Sequence, residues 1–266
     1  MKNLLAIVVL LLSGFAAQAD SQLKPILTGD QNRGWEAVGR LDFAGRSFCT
    51  GSLISERYVL TAAHCMFDVE TKAPHKPSDV TFRAGWRNGR ADAFRNAKAI
   101  YVHPEFSSSA DQLHDRLSND IAIIELAMPI RTTSVQPFQT ATRPRAGQEV
   151  GVVSYAHDRA ESPALQEVCH VTARQGGVLV TSCNVDFGSS GAPIFDLSGD
   201  TPRIVSVISA KASFRGEPVS VGTSLDGALS ELLDIASQGR YLFQKVDATS
   251  RDVLERVQPV VGASGQ

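Results

Sequence analysis

Residues 49–65, CTGSLISERYVLTAAHC, hold two short apolar runs separated by polar turn residues, the second closing on a histidine set between an alanine and a cysteine. Runs of this length bounded by turn residues are strand signals. The same rhythm continues on either side. DVTFRAG (79–85), AKAIYVHP (97–104) and IAIIEL (121–126) follow, then EVGVVSYA (149–156), EVCHVTA (167–173), GVLVTSC (177–183), APIFDL (192–197), RIVSVISA (203–210) and VSVGTS (219–224). Gln175-Gly176-Gly177 lies between two alternating runs, where paired glycines supply the positive φ of a tight hairpin turn. The chain therefore reads as mostly antiparallel β-structure.

Between the two groups of strands, Ala127 to Gln148 lacks clear periodicity and carries Pro129, Pro137 and Pro144, so it reads as an inter-lobe connection. After the last strand, Leu225, Leu229, Leu232, Leu233 and Ile235 recur at near-helical spacing behind Thr223 and Ser224. The expectation is one helix from Leu225 to Ser237, capped by one of those hydroxyls, and then a frayed tail.

The chain opens with MKN, the apolar run LLAIVVLLLSGFAA and a small-residue AQA, the pattern of a signal peptide over residues 1–19 with a mature start at Asp20. The apolar stretch is shorter than the ~20 residues that span a bilayer. The remaining residues are enough for one large β domain or two smaller lobes, and 43% hydrophobic content suits a chain with a buried core. A net charge of -2 with interspersed signs leaves no basic footprint for nucleic acid or an anionic membrane. The expected partner is a polypeptide or a small molecule. Four cysteines in an exported chain imply two disulfides, in any of three connectivities. No CxxC, HExxH or paired-histidine spacing is present, so neither a metal nor another cofactor is expected.

Acyl transfer by serine needs a hydroxyl beside a base, and a third group to orient that base. Thr61-Ala62-Ala63-His64-Cys65 ends one apolar strand, Asn119-Asp120-Ile121 opens another, and Gly188-Ser189-Ser190-Gly191-Ala192-Pro193 lies between two more. His64 is the candidate base, Asp120 its orienting acid and Ser190 the nucleophile. A backbone N–H reaches a tetrahedral oxyanion only where no side chain blocks the approach, so Gly188 and Ser190 are the candidate oxyanion-hole donors. His75, His103, His114, His157 and His170 have no comparable context and read as structural or surface residues.

TAAHC, NDIAIIEL and GSSGAP resemble the His, Asp and Ser motifs of chymotrypsin-like serine peptidases, in that family's chain order. The whole 49–65 segment and VHPEF (102–106) add to the likeness, which runs from about Val38 to Thr223. In style the sequence is most similar to the bacterial branch that includes glutamyl endopeptidases.

The resemblance implies an all-β protein of two antiparallel six-stranded barrels, with the active site between them and a C-terminal helix. Residues 20–135 would form the first lobe, 136–224 the second, and 225–266 the helix and tail. It implies disulfides Cys49–Cys65 and Cys169–Cys183, and a secreted, monomeric serine endopeptidase, periplasmic or extracellular, that works through an acyl-enzyme. Arg203 to Lys211 would wall the cleft and pair with substrate backbone, with Ser206 or, preferentially, Ser209 touching the triad acid. Counting back from Ser190 puts Asn184 near the specificity-pocket floor, but Cys183 lies closer to the nucleophile than in trypsins and the alignment slips there.

Two departures stand out. Animal trypsins have Asp immediately before the nucleophile, to receive an amino terminus freed on activation; this chain has Ser189, and no basic site followed by Ile-Val-Gly-Gly. The expectation is a loop ordered without a buried ion pair, so that Ser189→Asp brings no gain in activity. The alternatives are a catalytically silent binding protein on the same fold, and a serine esterase.

Overall fold

The computed structural model describes residues 20–107, 113–142 and 144–239. The signal-peptide segment 1–19 and the expected tail from 240 onward lie outside the described residues.

Strand β1 is Lys24–Pro25; β2 (Val38–Phe43), β3 (Ser47–Leu53), β4 (Tyr58–Thr61), β5 (Val80–Ala84) and β6 (Ala93–Val102) follow. A short helix α1 (Leu113–Ser118) precedes β7 (Ala122–Leu126). Then come β8 (Gln139–Thr140), β9 (Glu149–Ser154), β10 (Ala164–Gln175), β11 (Val178–Thr181), β12 (Pro193–Asp196), β13 (Arg203–Phe214), β14 (Glu217–Ser224) and helix α2 (Ala228–Ser237).

The first barrel closes in the order β2-β3-β4-β7-β6-β5, with β2 pairing back onto β5. Alternation drives the closure. In β5, Val80, Phe82 and Ala84 are buried while Thr81 and Arg83 between them are not, so one face enters the core. The second barrel is the ring β9-β10-β11-β14-β13-β12, closed by β12 against β9 and β9 against β10. Both barrels are six-stranded and antiparallel, as the resemblance implied. The Gly176-Gly177 hairpin also stands: φ is 52° and 84° at the two glycines, and Gln175 pairs with Val178 across the turn.

Three details differ from the sequence reading. β1, inside the segment assigned to the first lobe, pairs with β10 of the second. The connection from Ala127 carries a strand of its own, β8, parallel to β13. Its Phe138 packs edge-on to Phe195 at 4.8 Å and tilted against Trp35 at 6.2 Å, which anchors the crossing between barrels.

The third difference is where the last helix starts. Thr223 and Ser224 complete β14 instead of capping α2, and the Thr223 hydroxyl donates to the carbonyls of Leu117 and Asp120. The helix begins at Ala228, behind Gly227 at φ 78°. Its buried Leu229, Leu232, Ile235 and Ala236 join the core of the first barrel, so the chain returns across the molecule to pack against β6 and β7. Among the described residues no helix is long and apolar enough to cross a membrane.

Candidate active site

β4 ends at Thr61, and Ala63–Met66 turn at once into a single 3-10 turn that carries His64 out of the first barrel. The backbone N–H of His64 donates to Asp120 Oδ1 at 2.8 Å, and the ring Nδ1 lies 2.7 Å from Oδ2. One carboxylate thus fixes both the main chain and the ring of the same residue. A carboxylate only accepts, so the ring proton sits on Nδ1 and the Nε2 lone pair is left facing outward. Nε2 lies 2.8 Å from Ser190 Oγ, across the seam on the second barrel.

Asp120 is 3% exposed. Its charge is compensated by the two His64 contacts and by the Ser209 hydroxyl, which donates to Oδ2. A register shift between Ile208 and Ala210 takes Ser209 out of the regular β13–β14 ladder. Bulges of this kind re-aim a side chain beside a site. Ser206, the other candidate, donates to the Thr223 carbonyl and stays inside the second barrel.

Burial pushes the His64 imidazole down, but the Asp120 charge and hydrogen bond outweigh it, so its pKa lies above the ordinary histidine value.

The loop carrying Ser190 is shaped by glycine. Gly188 has φ 96°, and a Cβ there would come within 2.5 Å of the Phe48 ring. The Phe187 carbonyl accepts from His157 N–H at 2.7 Å, the Gly188 carbonyl from the Thr50 hydroxyl at 2.9 Å, and the Ser190 carbonyl from Thr50 N–H at 2.9 Å. A trans peptide points its N–H opposite its C=O. With the Phe187 carbonyl turned to His157, the Gly188 N–H is turned the other way. Among the described residues neither the Gly188 nor the Ser190 N–H has a hydrogen-bond acceptor.

These groups open on a cleft of about 640 Å³. One wall is apolar, with Phe48, Phe67 and Val69 beside the Cys49–Cys65 disulfide; the other carries Phe187 and the β13 residues Ser209 to Lys211. Lys211 Nζ and Asp186 Oδ2 stand 3.6 Å apart on that wall. Asn184 is not there. It is exposed, its N–H donates to Gln166 Oε1 at 2.7 Å, and Val185 lines the cleft in its place. The cause is the short path from Cys183, tied to Cys169 in the second barrel, which leaves six residues before Ser190.

The remaining histidines are engaged elsewhere or exposed. His75 stacks on Phe43, His103 faces Glu231 at 3.5 Å and His170 meets Asp20 at 2.8 Å, while His114 and His157 are exposed. The tightest group of potential metal-binding side chains among the described residues is Cys49, His64 and Cys65, and its two sulfurs are bonded to each other. Thr50, Phe48 and His157 carry no local sequence signal. Their part in shaping the Ser190 loop comes from the register of β3, which places Phe48 and Thr50, and from the turn after β9, which places His157.

Two closed six-stranded barrels with an Asp–His–Ser chain of hydrogen bonds at their seam define the chymotrypsin-like class of serine peptidase folds. The trypsin family model matches residues 27–224, and the chain belongs to that family. It is similar to a trypsin of Phaedon cochleariae, 33% identical over 39% of this chain and 36% of that protein. It is also similar to Trypsin Blo t 3 of Blomia tropicalis, 28% identical over 56% of this chain and 53% of that one. The matches thus span between a third and about half of those relatives. A solved structure of a Glu endopeptidase in complex with MPD superposes with a TM-score of 0.67 at 18% identity, over 83% of this chain and 98% of that one. At that identity the likeness is one of fold.

Proposed function

We propose that this protein is a serine endopeptidase that cleaves polypeptides through an acyl-enzyme, with Ser190 as nucleophile, His64 as general base and then acid, and Asp120 holding the imidazole. The observation that carries the reading is the unbroken path from Asp120 Oδ2 through His64 to Ser190 Oγ, with contacts of 2.7 and 2.8 Å.

In the first half-reaction Ser190 Oγ attacks the scissile carbonyl while its proton passes to His64 Nε2. The imidazolium that forms is stabilised by Asp120, and the carbonyl oxygen, now an anion, is received by the Gly188 and Ser190 N–H groups. Collapse breaks the C–N bond, with His64 giving its proton to the leaving amine. Water then repeats the sequence on the acyl-enzyme and releases the acid. Removing one oxyanion donor from such a site costs about 2.7–4 kcal/mol of transition-state stabilisation.

Pairing between β12 and β13 ends at Val207, with only the bonds between Ile208 and Gly191–Ala192 beyond it. Ser209 to Lys211 therefore offer an open strand edge along which an extended peptide can align. Two disulfides suit an oxidising compartment, periplasmic or extracellular, in which the protein acts as a monomer.

The test is to treat the protein, beside Ser190→Ala, with a fluorophosphonate probe and a peptide library. Labelling at Ser190 together with peptide cleavage is expected. Labelling without peptide cleavage would indicate an esterase, and no labelling a binding protein.

A further inference from the structure

Glycines on both sides of the Ser189-Ser190 pair give the oxyanion loop its shape and also its freedom, with φ 96° at Gly188 and 76° at Gly191. Such a loop needs an external hold to keep two N–H groups aimed at one point. Ser189 is fully buried beneath it.

The Ser189 hydroxyl lies 3.1 Å from the Tyr155 carbonyl and 3.2 Å from Ser154 Oγ, accepts the Asp186 N–H at 3.3 Å, and is met by Arg159 Nη2 at 3.5 Å. The same Nη2 donates to Ser154 Oγ at 3.2 Å. Arg159 is itself mostly buried, with a side chain 14% exposed, and reaches Asp158 at 3.0 Å through Nη1. Its Nε is buried without a partner among the described residues. Asp186, at the start of the loop, adds a second attraction on its charge.

We propose that Arg159 is the internal cation that sets the oxyanion loop, acting through Ser189 and Ser154 as a positioning residue. The inference rests on reading the cleft as a peptidase site, and goes beyond it by assigning to the second barrel the cation that holds the loop at Ser189, beside the hydrogen bonds Thr50 makes from the first barrel to the Gly188 and Ser190 carbonyls. A brace made of one hydroxyl and one guanidinium is permanently in place, because β9 and the turn His157–Arg159 carry its members. Loop order then requires no carboxylate at position 189. Spare donor capacity at Arg159 also means that a carboxylate placed there would find its counter-charge waiting.

A double-mutant cycle on the full chain tests this. Ser189→Ala and Arg159→Ala are each expected to lower kcat about tenfold with KM within about twofold, the signature of lost transition-state stabilisation. Arg159→Lys should recover most of that loss. In a Ser189→Asp background, Arg159→Ala should cost about a hundredfold or more, because it strands a buried carboxylate. An equal factor in both backgrounds overturns the proposal, as does a loss carried by KM alone. Hydrogen exchange over 186–191 gives a readout independent of turnover: faster exchange in Arg159→Ala supports the brace, and unchanged exchange overturns it. A wild-type protein that cleaves no peptide would sink the peptidase reading, and the exchange measurement would still decide the brace.

Discussion

Ser209 donates its hydroxyl to Asp120 Oδ2, the same oxygen that receives His64 Nδ1, so β13 reaches across the seam to hold an acid rooted in the first barrel. Hydrogen bonds to a charged group contribute about 1.5–3 kcal/mol each. Ser209→Ala leaves the buried carboxylate with one donor fewer and lets it drift from the imidazole. Peptide hydrolysis is expected to fall about tenfold, mainly in kcat, while Ser206→Ala, whose hydroxyl points to Thr223, leaves kcat within a few-fold. Equal losses in both variants would remove Ser209 from the site.

Asp120→Asn preserves shape but offers an amide N–H where an acceptor stood. The imidazole then favours the wrong tautomer, with its proton toward Ser190. A drop of about 10⁴ in kcat at neutral pH is expected, the size seen for the same change in a related peptidase. Steady-state hydrolysis of a peptide substrate measures it, and a loss below tenfold would mean that Asp120 does not set the tautomer.

The pH dependence has a definite sign. His64 must be neutral to accept the Ser190 proton, and its pKa lies above the ordinary value near 6.5. Thus kcat/KM should rise with pH through an inflection above that value and fade on the acid side. Stability runs oppositely. The imidazolium bonded to Asp120 favours the folded state fully below the unfolded histidine pKa, and that contribution is lost as pH rises through the folded one. Thermal melts of wild type and His64→Ala across this range should converge toward alkaline pH; divergence there would contradict the assigned shift.

The residues that announce themselves in sequence are those whose chemistry demands a local pattern. TAAHC, NDIAIIEL and GSSGAP each combine a reactive side chain with the strand or glycine turn that presents it, and the three side chains meet as their order implied. Strand rhythm likewise carried the antiparallel β-structure, while the division into two barrels came with the family resemblance. What sequence could not place depends on distant pairing. Thr50 reaches Gly188 and Ser190 only because β3 ends up against the second barrel. Asn184 was placed by counting residues, and the short path from Cys183 defeats the count. The helix boundary failed because Thr223 looks like a cap in one dimension, whereas in three its hydroxyl ties β14 to the segment leading into Asp120. Helix α1, at six residues, is too short to leave a periodic signal.

The Cys49–Cys65 bridge closes a loop of 16 residues between β3 and the His64 turn. A loop near that length is associated with about 3 kcal/mol of stability, chiefly through the unfolded chain. Replacing both cysteines by alanine should lower the denaturation midpoint accordingly. Cys49 and Cys65 also line the cleft wall beside His64, so kcat should fall with the loss. An unchanged midpoint would mean that strand pairing alone holds the His64 turn.

Gly188→Ala separates the two demands on that residue. The added methyl would meet the Phe48 ring at 2.5 Å and the Ala156 Cα at 3.1 Å, and φ 96° is a backbone state that alanine rarely adopts. Phe48 cannot retreat freely, since Arg40 lies over its ring at 4.7 Å and is itself held by Asp42. The loop must therefore give way, carrying the Gly188 N–H off the position where an oxyanion forms. Loss of that donor predicts kcat lower by about 10²–10³ with KM little changed. Fluorophosphonate labelling of Ser190 should slow in parallel, because the phosphoryl oxygen uses the same donors. A variant that hydrolyses peptides at near wild-type rate would show that the Gly188 amide does not receive the oxyanion, whatever the alignment of Ser190 with His64.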